Sequence, residues 1–341
     1  FFFKQKTAYE IKECDWSSDV CSSDLAYDAP GMAAGIAHSA DGIRWTPYNQ
    51  GRPVTTRAAD TYNQLIWDPL KKTYRLFTRT DFGSAGGAGE IRGTRSMTNP
   101  DIKAAPSHFQ LVREWIFDRT GKAESQRRQI YATTCWIYRD IYFALLTVYE
   151  HPGDVSEGQT TDHGTRHERD VMNFYIATSR DGDRWDLQWV YAGQPMIPRG
   201  PAGSFDMDIL LPASTIVTVG DEHWLYYSGA NERHGTEAVR FDRQHAIGLA
   251  KLPRDRFIGL AAEDETGTIV TKPWKLTDPN VTLNLNTRDF HSGDRDSDTV
   301  HAKAGSCTVE VLDEQGVPIP EYSGDQSLAI EGVDALDFSP K

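Results

Sequence analysis

Two stretches of this sequence repeat one pattern: Ile36-Ala-His-Ser-Ala-Asp-Gly-Ile-Arg-Trp45 and Ile176-Ala-Thr-Ser-Arg-Asp-Gly-Asp-Arg-Trp185. Each is a short apolar segment followed by Ser-x-Asp-Gly and, three residues after the glycine, by a tryptophan. Weaker copies of the apolar segment start at Ile91 and Ile247, so the four isoleucines are 55, 85 and 71 residues apart. Repeats of this length favour four-stranded propeller blades with insertions over the shorter helical repeats.

Hairpins are predicted where aromatic and β-branched segments flank tight turns. These pairs are Ile66–Pro69 with Tyr74–Phe77, Trp136–Tyr138 with Tyr142–Phe143, and Ile216–Val219 with Trp224–Tyr227. Helical windows are nearly absent. After about residue 263 the chain changes to short alternating segments, which are typical of a small β-sandwich. They are Gly267–Trp274, Val281–Asn286, Cys307–Leu312 and Ser327–Ile330.

The fold class predicted from these patterns is all-β. We expect a truncated five-bladed β-propeller at residues 26–262, with its first blade largely missing. A small, incomplete β-sandwich is expected to follow at residues 263–341. The 341 residues are 39% hydrophobic and 11% aromatic, which excludes a disordered or fibrous chain.

The charge of the chain restricts its partners. No stretch approaches the roughly 18 uncharged apolar residues that a membrane-spanning helix needs. With 36 basic and 49 acidic residues the net charge is -13, which disfavours binding to nucleic acid phosphates or to anionic lipid. We therefore expect a neutral ligand, and neither nucleic acid nor a membrane as partner.

Residues 1–25 stand apart from the rest of the sequence. They show neither helical nor strand periodicity, and they resemble the translation of a sequencing adapter joined to a truncated gene; a disordered natural leader is the alternative. The remaining cysteines, Cys135 and Cys307, form neither a disulfide framework nor a metal site. Cysteine usage therefore does not fix the compartment. A secreted or periplasmic location is compatible with a native N-terminus that lies upstream.

The aspartates of the repeated turns, Asp41 and Asp181, are expected to be structural. An aspartate at the start of a turn folds its carboxylate onto backbone N–H groups, and glycine supplies the positive φ. The tryptophan is expected to fill the space between blades. The motif resembles the Asp-box of sialidases but is one residue shorter before its tryptophan, so a sialidase-like enzyme is kept as an alternative.

An acid precedes each of three hydrophobic segments of the predicted propeller. These acids are Asp60 before Leu65, Glu124 before Gln129, and Asp206 before Ile209. Innermost strands converge on a propeller's tunnel, so residues that open them can face one another. Glycosidic cleavage needs two flanking carboxylates, and a third can tune their pKa values. Asp60, Glu124 and Asp206 are therefore candidate catalytic residues; a strand-opening cap or a salt bridge to arginine is the alternative for each.

Five stretches match one known family. They are Asp60-Thr-Tyr-Asn-Gln-Leu-Ile-Trp-Asp-Pro, Gln129-Ile-Tyr-Ala, Ser179-Arg-Asp-Gly, Trp224-Leu-Tyr-Tyr-Ser-Gly and Val309-Glu-Val-Leu-Asp-Glu-Gln-Gly-Val-Pro-Ile. On these residues, the chain from Asp41 to about Tyr322 resembles the five-bladed propeller glycosidases of the invertase, levanase and arabinanase group (glycoside hydrolase families 32 and 43). It is especially similar to family-32-like proteins of environmental bacteria.

The resemblance implies a glycoside hydrolase that acts on oligo- or polysaccharides. Family 32 enzymes carry a nucleophilic aspartate in the first blade, an Arg-Asp-Pro whose aspartate stabilises the transition state, and a later acidic glutamate. In this sequence Arg57-Ala-Ala-Asp60 corresponds to the Arg-Asp-Pro motif, and Glu124 corresponds to the acidic glutamate. The nucleophile and the literal Trp-Met-Asn-Asp-Pro and Glu-Cys motifs have no match. A non-catalytic carbohydrate-binding propeller is therefore the alternative, and we expect the chain as written to be inactive.

Other polar residues at strand ends or in loops are predicted to bind the substrate. They are Asn63, Arg79, Arg127, Asp170 and His234. No metal site and no cofactor are predicted. His163 and His167 have the spacing of a zinc pair without a strong helical context. The charged loop from Asp289 to Asp298 is interpreted as a solvated connection, with structural calcium as the alternative.

Overall fold

The computed structural model describes residues 23–58, 62–82, 91–117, 128–150, 170–233, 243–262, 266–275, 281–288 and 305–338. Within these residues the protein is mostly β, with curled sheets. It divides into two compact units. The first takes the described residues up to Val219 together with His223–Lys251, and the second takes Gly220–Glu222 and the described residues from Leu252 onward.

The first two sheets of the first unit follow chain order. The first sheet consists of β1 (Ser23–Ala29), β2 (Ala33–Ser39) and β3 (Thr46–Pro47). The second is an antiparallel meander of β4 (Gln64–Asp68), β5 (Thr73–Phe82), β6 (Ile91–Asn99) and β7 (Gln110–Trp115). Ser23, Asp24 and Leu25, which the sequence analysis groups with the leader, are the first residues of β1.

The third sheet has seven strands. They are β8 (Gln129–Tyr138), β9 (Ile141–Glu150), β10 (Val171–Ser179), β11 (Ile209–Pro212), β12 (Val217–Val219), β13 (Glu222–Ala230) and β14 (His245–Pro253). The helix α1 (Gln188–Tyr191) precedes β11. One antiparallel group, β8-β9-β10, meets a second, β11-β13-β14, where Met172 and Ile209 pair in parallel. β12 also pairs with β13.

The sequence repeat corresponds to a repeated antiparallel unit. Ile91, Ile176 and Ile247 lie in β6, β10 and β14, and each of these is the third strand in the hydrogen-bonding order β4-β5-β6, β8-β9-β10 or β11-β13-β14. Ile36 lies in β2, which follows β1. The three predicted hairpins are also confirmed, as β4–β5, β8–β9 and β12–β13. Consecutive segments of the chain therefore form similar antiparallel groups.

The Ser-x-Asp-Gly turns have the predicted structure. Asp181 Oδ1 accepts hydrogen bonds from the backbone N–H groups of Asp183 (2.9 Å) and Arg184 (2.8 Å), and Gly182 has a φ of 75°. These hydrogen bonds lower the pKa of Asp181 to about 2. Asp41 makes the equivalent bonds in the other turn. The two aspartates thus fold the chain locally, as expected.

The tryptophans of the two turns differ. Trp185 packs between sheets: its ring is edge-on to Phe77 of β5 at 6.5 Å, and it contacts the apolar core of β8, β9 and β10. Trp45 is 37% exposed. The predicted filling of the space between sheets is therefore confirmed for Trp185 and wrong for Trp45, because the Trp45 side chain is exposed.

Gln64 joins three of the first unit's strands at the start of β4. Its Nε2 donates to the carbonyl of Cys135 in β8 (3.0 Å) and to that of Ser214, just after β11 (2.9 Å). Its Oε1 accepts from the N–H of Cys135 (2.7 Å). The first strands of successive antiparallel groups are therefore neighbours. This arrangement brings together residues that are far apart in sequence.

Two short antiparallel strand pairs lie in the described residues of the second unit. β15 (Leu283–Asn286) pairs with β18 (Asp334–Phe338), and β16 (Ser306–Val309) pairs with β17 (Leu328–Glu331). The predicted strand at 267–274 is wrong: residues 266–275 have no strand partner among the described residues. The strand at Asp334–Phe338 was not predicted from the sequence. Its two aspartates break the apolar pattern that marks a strand.

Candidate functional site

The termini of several strands of the first unit lie close together. Arg92, at the start of β6, donates to Gln129 Oε1 at the start of β8 (3.2 Å). Tyr62, just before β4, lies edge-on to Tyr131 of β8 at 6.3 Å. β11 starts beside the start of β10. We call this region the opening end. It consists of the residues directly before β4, β8 and β11, the last residues of β5, β9 and β13 with those that follow them, and the residues at the starts of β6, β10 and β14.

Four predicted site residues lie outside the described residues: Asp60, Glu124, Arg127 and His234. The same holds for His163, His167 and the charged loop from Asp289 to Asp298. The other four, Asn63, Arg79, Asp170 and Asp206, are described. Asn63, Arg79 and Asp170 lie at the opening end, and Asp206 lies two residues before the aspartate that precedes β11.

Asp206 is buried, and both of its carboxylate oxygens accept hydrogen bonds from the protein. Oδ1 accepts from Ser204 Oγ (2.8 Å), and Oδ2 accepts from the Tyr227 hydroxyl (2.8 Å). The Tyr227 ring also stacks on Phe205. Burial and the Asp206 carboxylate together raise the pKa of Tyr227 to about 12. Asp206 therefore holds the loop before β11 against β13.

Asn63 and Arg79 hold neighbouring sheets together at this end. Asn63 Nδ2 donates to Asp28 Oδ1 of β1 (2.8 Å), while Asn63 Oδ1 is buried and has no hydrogen-bond partner within the described ranges. The Arg79 guanidinium carbon lies 5.0 Å from the ring centroid of Tyr131. A cation over an aromatic face is attracted by the ring quadrupole. Each residue thus links β4 or β5 to an adjacent sheet.

A buried glutamate that the sequence analysis missed, Glu150, ends β9 beside Asp170. Its Oε1 accepts from Asn173 Nδ2 (2.6 Å) and from the Tyr175 hydroxyl (2.6 Å), and its Oε2 accepts from Arg128 Nε. Burial, followed by the charge of Glu150, raises the pKa of Tyr175. Asp170, directly before β10, is also buried. Two acids therefore lie at adjacent strand ends.

Arg199 links Asn173 to the backbone beside a further buried carboxylate, Asp208. Arg199 Nε donates to Asn173 Oδ1 (3.1 Å) and Arg199 Nη1 to the Met207 carbonyl. Arg233 Nε lies 2.7 Å from Asp208 Oδ1. Burial lowers the pKa of Arg199, and the nearby positive charge of Arg233 lowers it further.

Another buried carboxylate, Glu232, follows β13. Its Oε1 accepts from Arg243 Nη2 and lies 2.6 Å from His245 Nε2. Burial opposes ionisation, but the hydrogen bonds from Arg243 and His245 outweigh it and lower the pKa of Glu232. Glu232 is therefore ionised near neutral pH. Its Oε2 is buried and without a hydrogen-bond partner in the part of the chain that the structure describes.

The sequence contained a signal for these missed acids. Glu150 and Glu232 each come at the end of a predicted second strand of a hairpin, the strands that contain Tyr142 and Trp224. The predicted catalytic acids all precede first strands. The end of an antiparallel partner strand lies beside the start of the first strand, so acids at both positions reach the same end of a sheet.

Metal and membrane features are absent from the described residues. No group of three or more His, Cys, Asp or Glu side chains there is arranged to hold a metal ion. Cys135 and Cys307 are free thiols, and Cys135 is buried. Among the described helices, none has the length and apolar character to cross a membrane.

Known proteins were compared by sequence and by structure. No family model matches the sequence, and no curated protein matches it. Glycoside hydrolases are among the solved structures similar to this chain. One is a family 32 β-fructofuranosidase of Bombyx mori (10% identity, TM-score 0.40), with 67% of this chain and 43% of that one covered. The present chain thus spans less than half of that enzyme's length.

Two further structures are similar at the same level. One is a family 93 α-L-arabinofuranosidase of Fusarium graminearum in complex with arabinobiose (11% identity, TM-score 0.40), with 76% of this chain and 68% of that one covered. The other is an N-acetylgalactosamine deacetylase from F. plautii in complex with blood group B trisaccharide (16% identity, TM-score 0.37). Its alignment covers 68% of each chain.

Proposed function

We propose that this protein is a carbohydrate-active protein of the glycoside hydrolase type whose saccharide binds at the opening end. One observation carries the proposal: buried carboxylates that are far apart in sequence, among them Glu150, Asp208 and Glu232, lie together at this end. Sugar hydroxyls both donate and accept hydrogen bonds. Carboxylates held among arginine, asparagine and tyrosine side chains offer complementary partners. The net charge of -13 is compatible with a neutral ligand.

Hydrolysis is assigned to the acids predicted from the sequence. In this proposal Glu124 protonates the leaving oxygen, Asp60 stabilises the transition state, and water supplies the hydroxyl that replaces the leaving group. Asp206 remains a third catalytic candidate that could tune their pKa values. Glu150, Asp208 and Glu232 are bonded to Arg128, Arg233 and Arg243, respectively. They are therefore suited to binding the sugar rather than to acting as the general acid that protonates the leaving oxygen.

The proposed fold is a five-bladed propeller at residues 26–262, with a β-sandwich at residues 263–341. The successive antiparallel groups of the first unit support the propeller, because each presents its first strand beside the next. The pairs β15–β18 and β16–β17 support the sandwich.

Activity on a panel of fructosides, arabinans and xylosides tests the proposed function. The panel is offered to the wild-type chain, to Glu124→Gln and to the control Glu331→Gln, which changes an exposed glutamate of β17. For any member of the panel that the wild type cleaves, loss of a general acid should reduce turnover by about 100-fold or more. The control should keep the wild-type rate. A folded wild-type chain that neither binds nor cleaves any member of the panel contradicts the proposal.

A non-catalytic carbohydrate-binding protein is the second candidate. The observation that favours it is the pairing of Glu150, Asp208 and Glu232 with one arginine each, because a paired carboxylate is held in its charged form. Saccharide binding without turnover, unchanged by Glu124→Gln, would select this candidate over the hydrolase.

A further inference from the structure

Glu232 has an unusual environment for a carboxylate. Only 6% of the residue is exposed, yet one of its two carboxylate oxygens, Oε2, has no hydrogen-bond partner among the described residues. The other oxygen accepts from Arg243 and is close to His245. Burying a charged acceptor without a donor is unfavourable, so a hydrogen bond from a ligand to Oε2 would be stabilising.

The backbone around Glu232 is fixed from both sides. The preceding residue, Asn231, accepts the N–H of Gln244 on its Oδ1 (2.7 Å) and donates its own N–H to the Gln244 carbonyl (3.2 Å). The following residue, Arg233, is paired with Asp208. The unpartnered oxygen therefore has a defined position, which is the condition for a preorganised binding group.

A second acceptor at the opening end points to the same ligand chemistry. Asn63 Nδ2 donates to Asp28, and this fixes the orientation of the amide. Asn63 Oδ1 is then left buried without a donor among the described residues. Asn63 precedes β4 and Glu232 follows β13, so two separate sheets each present an acceptor that needs a donor.

We propose that Glu232 is a saccharide-binding residue that selects neutral sugars, with Oε2 accepting a hydrogen bond from a sugar hydroxyl. The inference rests on the proposed function and specifies its substrate class. A neutral sugar supplies several O–H donors, which two unpartnered acceptors require. A uronic acid or a phosphorylated sugar carries an acidic group that offers only acceptor oxygens, which cannot supply the donor that Oε2 requires. Glu232 thus both attracts neutral sugars and disfavours acidic ones.

Isothermal titration calorimetry on the full chain tests the inference. Sucrose, arabinobiose and xylobiose are the neutral probes, and D-galacturonate is the acidic one. Glu232→Gln replaces an acceptor with an amide that can place a donor there, so affinity for the neutral probe that binds should fall by about tenfold or more. Affinity for D-galacturonate should not fall. The control Glu331→Gln should bind as the wild type does.

The outcomes separate the inference from the proposed function. If the wild type binds a neutral probe and Glu232→Gln binds it equally well, the inference is wrong and the proposed function stands. If the folded wild type binds no probe and cleaves none, both are wrong. Should Glu232→Gln fail to fold, a crystal structure of the wild type with the bound probe decides. A sugar hydroxyl on Oε2 supports the inference, whereas a water on Oε2 with the sugar elsewhere overturns it.

Discussion

A fully buried ion pair in the described part of the first unit offers a demanding stability test. Arg75 and Asp68 are both 0% exposed, and Arg75 Nε and Nη2 each lie 3.3 Å from Asp68 Oδ2. Arg75 also donates to Ser96 Oγ (2.9 Å) and to Asp183 in the second Ser-x-Asp-Gly turn. Arg75→Met removes the cation and leaves the Asp68 carboxylate buried.

The expected cost follows from what Asp68 keeps after the substitution. Removing one partner of a buried ion pair costs about 3–5 kcal/mol. Asp68 still accepts from the Tyr142 hydroxyl (2.8 Å) and from the N–H groups of Leu70 and Lys71. These three donors continue to stabilise the charge. We therefore expect a loss at the lower end of that range, about 3 kcal/mol in the free energy of unfolding.

Urea denaturation of three variants measures this effect. Arg113→Met is the matched control, because Arg113 contacts the same turn from an exposed position, through the Asp183 carbonyl. It should cost no more than about 0.5 kcal/mol. The double variant Arg75→Met with Asp68→Asn removes the uncompensated charge and should be more stable than Arg75→Met alone. A loss below about 1 kcal/mol for Arg75→Met, or a double variant less stable than the single one, would refute the reasoning.

Three further predictions address the turns, the sheet packing and Asp206. Asp181→Ala should destabilise the protein at pH 7. Because the folded pKa of Asp181 is lowered from 3.8 to about 2, the difference in stability from the wild type should shrink as the pH falls through that window. Thermal melts at each pH measure this difference. Gly248→Ala should lower the free energy of unfolding by about 1–3 kcal/mol, because the added Cβ would lie 2.2 Å from the Tyr227 ring. The control Gly259→Ala adds its Cβ to open space and should have little effect on the urea midpoint. Asp206→Asn should lower thermal stability while calorimetry shows unchanged saccharide affinity; a lost affinity with unchanged stability would show a direct role in binding.

The repeated pattern predicted much of the first unit. The Ser-x-Asp-Gly turns carry their own structure, because the aspartate bonds to N–H groups two and three residues later. Hairpins such as β4–β5 could be predicted for the same reason: turn chemistry and aromatic strands are both local in sequence. Local signals therefore specified these elements without knowledge of the rest of the fold.

Features that depend on distant contacts could not be predicted in the same way. The segment 267–274 has a strand-like composition, but a strand needs a partner, and sequence does not supply one. Glu150 and Glu232 were missed because their burial depends on how neighbouring strands end together.

The central claim, that the opening end binds a neutral saccharide, is tested most directly by mapping the contact in solution. Side-chain amide signals of Asn63, Asn173 and Asn284 are followed by NMR while sucrose, arabinobiose or xylobiose is added. Asn63 and Asn173 lie at the opening end and donate to Asp28 and Glu150, whereas Asn284 lies in β15 of the second unit. The account predicts saturable shifts of Asn63 and Asn173 with Asn284 unchanged. Shifts of Asn284 alone, or no shift with any of the three sugars, would contradict it.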